Sequence, residues 1–510
     1  MKTLQFCLLF LLGLSIQATA QEEGPYDPTF GSNGVAQISG IGQTLNVNAV
    51  AVQSDGKIVC AGYNATANSQ KDYMVLRLNA DGTLDTSFGS GGISTSDIFG
   101  NGYDELLTSV RVLPGGQIQA GGVRNYNGSS DFDAFSVRLN SSGALESGYG
   151  NFSGTGYSSY GSSASEYMYG SESQADGSVV LVGDVYDGAN NNTIIATFDS
   201  EGNPGLFTTL SIATNLFYRG VAKDPSGNIY FAGGNGSMLS IGKLNSAGDL
   251  VSAFDGDGIV TFDVAPGASN PYFSDVVYAS NNKLLACGTT GFDIVISRRN
   301  ADTGGADPSF NGGSPVVIDV WGANDQALSI QEYPDGRILV VGSGDYDSTD
   351  KDLVAIRLNP DGSRDASFGD NGLVFYHLNS ENGTGGAIMS DGRIVVTGNG
   401  DNNPFVVRYL GEVLSASNEI LPAAADIDLY PNPTSINEIQ LEYLLEESTP
   451  VRIDLYSMDG RLINNLLSSD QLVGPQADLL YLPQAITSGT YLIRIQTNNG
   501  NSTIKLSVVR

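Results

Sequence analysis

One short unit recurs along this chain, and internal repetition restricts a fold more than any single motif does. Each copy opens with a turn and an apolar strand that ends in Gly. The copies read SDGKIVCAG from Ser54, PGGQIQAGG from Pro114, ADGSVVLVG from Ala175 and PSGNIYFAG from Pro225, then NNKLLACG from Asn281, PDGRILVVG from Pro334 and SDGRIVVTG from Ser390. Measured at the second turn residue, from Gly56 to Gly392, they are spaced by 50 to 61 residues. A second element follows. It reads MVLRLNADGTLDTSFGSGG from Met74, FSVRLNSSGALESGYG from Phe135, SIGKLNSAGDLVSAFDGDG from Ser240 and VAIRLNPDGSRDASFGDNG from Val354. It is degenerate near Ile195 and Val295, and is cut short at FVVRYLGE from Phe405. Its tail also stands alone near the start, as DPTFGSNG from Asp27.

Short apolar runs separated by Asp-Gly turns read as hairpin-linked strands. The first unit is expected to hold four, at 46–53, 57–63, 73–79 and 93–98. The seventh holds three, near 385–389, 393–398 and 404–409, and an orphan strand at 34–39 precedes the first unit. These parts make an all-β chain with a seven-bladed β-propeller closed by its N-terminal strand. That architecture leaves only short, protected edges. An open β-solenoid also stacks repeats, but it gives no reason for the N-terminal strand to match what the last unit lacks. The DGKIVxAG and RLNxDGxLDxSFGxxG patterns resemble the delta-60 repeats of bacterial extracellular proteins over residues 27–410. The resemblance implies a propeller and no particular activity.

Residues 1–20 have the form of a signal peptide, with Lys2, an apolar stretch from Leu4 to Ile16 and the small-residue box Ala18-Thr19-Ala20. The stretch is shorter than the roughly 20 residues that span a bilayer. Residues 21–410 are expected to form the propeller, 411–425 a linker, and 426–510 a small C-terminal β-sandwich. In that last segment alternating apolar residues are punctuated by Asp-Gly and Ser-Gly turns. Pro431, Asn432 and Pro433, then Gly460 and Arg461, then Gly489, Tyr491 and Lys505 follow in the order of the type A C-terminal sorting domain of type IX secretion cargo, which this segment resembles. The resemblance implies a Bacteroidota-type bacterium and the type IX secretion machinery as partner. It also implies passage through the periplasm to the outer cell surface or the medium.

Asp and Glu number 55 against 24 Lys and Arg, a net charge of −31. Nucleic-acid phosphates need clustered cations, and anionic membrane surfaces do too, so neither is an expected partner. No segment after the leader is apolar enough to span a membrane. The sole histidine, His377, excludes a multi-His metal centre and leaves few acid–base catalysts. Cys60 and Cys287 fall in the first and fifth units, across the ring from one another. A disulfide needs Cα atoms within about 7 Å, so both are expected free. Phe99 in DIFGNGYDE and Trp321 in DVWGANDQA hold one position in two units and are expected to pack between blades.

The loops joining second to third strands are long in units one, two, three and six, and rich in Asn, Asp, Tyr and Ser. Such residues make adaptable polar contacts, and loops on a rigid scaffold carry function. The ligand-binding candidates are Tyr63, Asn64, Tyr126, Asn127, Asp184, Tyr186, Asp187 and Tyr346. Asp345, Asp347 and Asp350 offer oxygen ligands suited to Ca²⁺, without a full calcium-loop motif, and no cofactor is required. The expected function is an exported cell-surface or secreted binding protein for a glycan or protein ligand, more a binder than an enzyme. The alternative is a secreted propeller hydrolase or lyase acting on polysaccharide, which needs carboxylates converging at the ring centre with one pKa raised. A structural surface-layer component is a third class.

Overall fold

A computed structural model describes residues 25–510, except 39–43, 66–69, 101, 127–131, 153, 162–164, 187–190, 213–216, 235, 265–267, 323, 348–349, 378–381, 401–402, 412–424, 446–447, 458–461, 485 and 498–499. The expected leader and most of the expected linker lie outside the described residues. Among the described residues of the repeat region there are seven four-stranded antiparallel sheets. The first comprises Thr44–Val52, Ile58–Ala65, Lys71–Leu78 and Ile93–Ser96. Six sheets take four strands in chain order. The remaining one takes Asn382–Ile388, Ile394–Gly400 and Asn403–Tyr409, and its fourth strand is Val35–Gln37, paired antiparallel with Asn403–Tyr409. The first strands of successive sheets touch in order, and that of the last touches that of the first. Apolar side chains from neighbouring sheets share cores. One holds Leu285 and Ile296 with Ile330 and Val340, and another holds Val59 and Val75 with Ala120 and Val137.

The terminal Gly of the first repeat element has a geometric cause. Every first strand carries a register shift at one place, as between Val47 and Ala49 or between Ala327 and Ser329. Such a β-bulge bends the strand and strengthens its twist. The residue across from the bulge is Gly in all seven sheets, Gly62, Gly122, Gly183, Gly233, Gly288, Gly342 and Gly398. A Cβ on Gly342 would stand 1.9 Å from the Gln326 carbonyl oxygen, and one on Gly62 2.0 Å from that of Asn46. No side chain fits there.

The second element latches one sheet to the next. In RLNADGTLDTSFG, Arg77 donates to Asp85 at 2.8 Å, lies 4.5 Å from the Phe88 ring centre, and donates to the Ser141 carbonyl of the following sheet at 2.8 Å. Phe88 is buried beneath the next sheet's turn, where a Cβ on Gly143 would stand 2.8 Å from the Gly89 nitrogen. The orphan DPTFGSNG supplies the same parts to the sheet that contains Val35–Gln37. Arg408 donates to Asp27 at 2.9 Å and covers Phe30, and the Gly31 N–H reaches the Asp81 carbonyl at 2.7 Å. Burial would raise the Asp27 carboxyl, but hydrogen bonds from Thr29 and Arg393 and the charge of Arg408 hold it at about 2.

The C-terminal segment has two sheets. One orders Ala425–Tyr430, Glu438–Leu445 and Gly474–Tyr481, and the other Leu462–Gln471, Thr449–Ser457, Gly489–Thr497 and Gly500–Val508. Both contribute to one apolar core, as Leu441 and Leu480 from the first and Ile453 and Ile493 from the second.

Candidate functional site

All seven first strands line one axial channel of about 940 Å³. Its wall is polar because the bulged strands turn Ser, Thr, Asn, Gln and carboxylate side chains toward it. Most of these reach across to the neighbouring sheet. Asn48 donates to the Leu107 carbonyl at 2.8 Å, the Ser109 and Ser173 hydroxyls lie 2.9 Å apart, and Gln331 donates to the Gly386 carbonyl at 2.7 Å. Two carboxylates do the same work. Glu172 accepts the Lys223 N–H at 3.1 Å, and Asp275 accepts the Ile330 N–H at 3.0 Å. Burial pushes Glu172 up to about 7 and Asp275 to about 6. Both line the axial channel, where the hydrolase alternative needs its carboxylates to converge, and each holds a backbone N–H of the adjacent sheet.

An aromatic and cationic group sits on three neighbouring first strands. Arg219 is exposed and lies 4.3 Å from the Tyr272 ring centre and 5.9 Å from that of Tyr169, which is 39% exposed. Gln326 donates to the Tyr272 hydroxyl at 2.8 Å. Asp184 is buried beside them. Burial raises its carboxyl to about 7, against the pull of the Tyr169 hydroxyl and the Arg219 charge. This set combines two π faces, a cation, an amide and a carboxyl, the chemistry that stacks on and hydrogen-bonds to a polar ligand.

Of the candidates read from the sequence, Asp184 joins this group. Tyr186 is exposed nearby in the same strand, Val179–Tyr186. Tyr63 is half-buried, with the Lys71 ammonium 5.2 Å from its ring centre, and Asn64 is buried opposite Asp72. Asp345 is buried and accepts the Asn324 amide at 3.0 Å. Asn127 and Asp187, and the side chains of Tyr126, Tyr346, Asp347 and Asp350, lie outside the described part of the structure. Cys60 and Cys287 are free and buried, and burial pushes both thiols up. Trp321 packs edge-on to Phe375, and Phe99 lies under Arg124. His377 Nδ1 lies 2.6 Å from Asp352.

Sequence reasoning passed over two acidic groups. Asp72, Asp97 and Glu105 meet at the junction of the first and second sheets, and Asp293, Asp319 and Asp325 at that of the fifth and sixth. In each group the three ligand atoms lie within 4.8 Å of one another. DIFGNGYDE and DVWGANDQA carry four of the six acids, Asp97, Glu105, Asp319 and Asp325, on either side of their aromatic residues.

In the C-terminal segment Asn432 ties the first strand to the last. Its amide donates to the Lys505 carbonyl at 2.7 Å, and its oxygen accepts the Ser507 N–H at 2.9 Å. Pro431, Pro433 and the Lys505 side chain are exposed, Gly489 opens a strand, and the Tyr491 hydroxyl donates to the Thr487 carbonyl at 2.9 Å. Gly460 and Arg461 lie outside the described residues. Residues 428–509 match the secretion system C-terminal sorting domain. The chain carries a type IX sorting domain. This domain directs the protein to the outer cell surface or beyond, by way of the type IX machinery. Residues 53–88 and 334–368 match the beta-propeller domain of unknown function DUF5122. No curated protein matches the chain. Solved structures that resemble it include YCF48 in complex with a peptide, 12% identical, with 76% of this chain and 97% of that one covered and a TM-score of 0.41. Another is Sqt1 from Chaetomium thermophilum, 15% identical, covering 73% and 97% with a TM-score of 0.37. A glucose dehydrogenase is 10% identical, covering 73% and 98% with a TM-score of 0.32. Likeness at this level says nothing of ligand or activity. No helix among the described residues is long and apolar enough to cross a membrane.

Proposed function

We propose that this sorting-domain protein is an exported binding protein. In this reading residues 21–410 are a seven-bladed propeller of delta-60-like repeats closed by the N-terminal strand, 411–425 a linker, and 426–510 a β-sandwich read by the secretion machinery, after removal of residues 1–20. The propeller presents one end of its axis to a glycan, with a surface protein as the other ligand class. The observation that carries this is the Tyr169, Arg219 and Tyr272 group with Gln326 and Asp184. Stacking by tyrosine with flanking polar groups suits a sugar ring, which has an apolar face and a hydroxylated rim. The test is a glycan array probed with the mature full chain, followed by solution affinities for Tyr169→Ala and Arg219→Ala. Binding that both variants lose supports the reading, and a blank array for the wild type refutes the glycan class.

A second reading, a polysaccharide hydrolase or lyase, rests on Glu172 and Asp275 facing one channel with raised pKa values. Against it, each carboxylate is engaged with a backbone N–H. Release of reducing ends from a bound polysaccharide, lost in Glu172→Gln, would favour the enzyme.

A further inference from the structure

We infer that a divalent cation of the Ca²⁺ class binds at two sheet junctions, held by Asp72, Asp97 and Glu105 in one and by Asp293, Asp319 and Asp325 in the other. The spacing fits one ion. Calcium–oxygen distances are about 2.3–2.6 Å, so oxygens across a single ion stand up to about twice that apart, and the ligand atoms of each group, all within 4.8 Å of one another, fall inside that reach.

The two groups are built alike from three different elements. Asp72 and Asp293 each lie two residues before the partner of a bulge-facing Gly, Met74 opposite Gly62 and Val295 opposite Gly288. Asp97 and Asp319 follow the fourth strand and are fixed by the same turn. The Gly100 N–H donates to Asp97 at 2.7 Å and the Gly322 N–H to Asp319 at 2.5 Å. Glu105 and Asp325 come from the next sheet, each two residues before the bulge, and are 0% and 1% exposed.

Equivalent positions elsewhere show what a carboxylate needs at this spot. In the second sheet the third-strand residue is Asp133, which is paired with Arg124. In the sixth it is Asp352, and His377, in the place of Asp97 and Asp319, meets it at 2.6 Å. Those junctions carry a basic side chain of the protein's own. At the junctions of Asp72 and Asp293 a third acid stands instead, and Arg124, the register partner of Glu105, is turned to Asp133 and the Phe99 ring. Both Glu105 oxygens are buried with no well-formed hydrogen bond, the loose approach of the Phe99 N–H aside, and so is one Asp325 oxygen, the approach of the Trp321 N–H to that carboxylate aside. Asp325 places its other oxygen on the Val320 N–H at 2.7 Å. A bound cation would supply the missing partner. The donors are all oxygens, which excludes a soft-metal preference. Three carboxylates with no imposed octahedron suit Ca²⁺ over Mg²⁺, with carbonyls or waters filling the remaining positions. Each ion would tie the third and fourth strands of one sheet to the first strand of the next.

The test uses the mature full chain stripped of metal by a chelator and titrated with CaCl₂ or MgCl₂ at constant ionic strength. Binding is read by calorimetry, and Tm and the fluorescence of Trp321, which lies between Asp319 and Asp325 in sequence, are followed in parallel. The wild type should bind two Ca²⁺, gain Tm, and respond far less to Mg²⁺. Glu105→Gln should bind one Ca²⁺ and keep the Trp321 response, whereas Asp319→Asn should bind one and lose it. Glu105→Gln removes a buried unpaired carboxyl, so its metal-free Tm should equal or exceed that of the wild type, which separates a lost site from a lost fold. Asp97→Asn, at an exposed residue, repeats the first site's test. A wild type that binds no Ca²⁺ up to about 10 mM, well above the range of extracellular calcium modules, overturns the inference. So does retention of both ions in Glu105→Gln and Asp97→Asn.

Discussion

Replacing Gly342 by Ala tests why each repeat strand ends in Gly. The new Cβ would stand 1.9 Å from the Gln326 carbonyl oxygen and 2.8 Å from the Ala327 Cα, both of them backbone atoms that no rotamer can move aside. The two strands would have to part by about 1 Å to restore van der Waals distance. Overpacking costs about 1–3 kcal/mol, and each ladder hydrogen bond lost with the separation costs about 1 kcal/mol more. A loss of roughly 3–5 kcal/mol follows. At about 2–4 °C per kcal/mol in a domain of ordinary size, and less in a larger cooperative unit, Tm should fall by about 5–10 °C. Scanning calorimetry and Trp321 fluorescence both report the transition. Gly305→Ala is the control, because its Cβ would meet only the Thr303 hydroxyl at 3.3 Å and its φ is not in the left-handed region. A Gly342→Ala protein that melts within a degree or two of Gly305→Ala would refute the bulge argument, and Gly122→Ala, also at 1.9 Å, should repeat the result.

Three further outcomes follow from the same structure. Arg408→Ala removes one of the two arginines that hold the buried Asp27 and leaves Arg393 at 2.7 Å, so the loss should stay below that of a fully broken buried pair, about 3–5 kcal/mol. Its Tm should fall, and limited proteolysis should remove the N-terminal strand Val35–Gln37 before the other strands open. Stability should fall as pH rises from about 5 to 8, because Glu172, Asp184 and Asp275 have folded-state pKa values of about 7, 7 and 6. Groups raised on folding stabilise below their unfolded pKa and lose that contribution as pH rises through the folded value. Glu172→Gln should flatten part of this slope in Tm measured against pH, whereas Asp27, held at about 2, adds a loss only in stronger acid. Cys60 and Cys287 should resist a thiol reagent until global unfolding, so labelling at native temperature would contradict their burial.

Much of the strand pattern was legible, because a turn-plus-strand unit repeated seven times averages out local ambiguity. The strand expected at 57–63 is Ile58–Ala65, and that expected at 34–39 is Val35–Gln37. The reason for the terminal Gly was not legible, since the bulge belongs to the partner strand and appears only in the register. The role of Arg77, Asp85 and Phe88 was likewise hidden, because the Ser141 carbonyl that completes the latch lies in another repeat. Site residues were harder still. Asp184 was singled out from a polar loop, but the group it joins, Tyr169, Arg219 and Tyr272, comes from strands with no distinctive spacing. The acidic triads draw on three elements each. Asp72 is separated from Asp97 by a whole hairpin, and only the fold brings them within ligand distance. Repeats conceal such sites, because the shared pattern encodes the fold and the chemistry lies in what two copies do differently.

Hydrogen–deuterium exchange of the mature chain, with and without the oligosaccharide it retains on an array, tests the binding account most directly. The account predicts protection in Ser165–Ser173, Phe217–Lys223 and Tyr272–Ala279, the strands that carry Tyr169, Arg219 and Tyr272. Protection confined to the sorting domain, or to the turns around Gly177 and Gly227 that follow the first two of those strands, would contradict it.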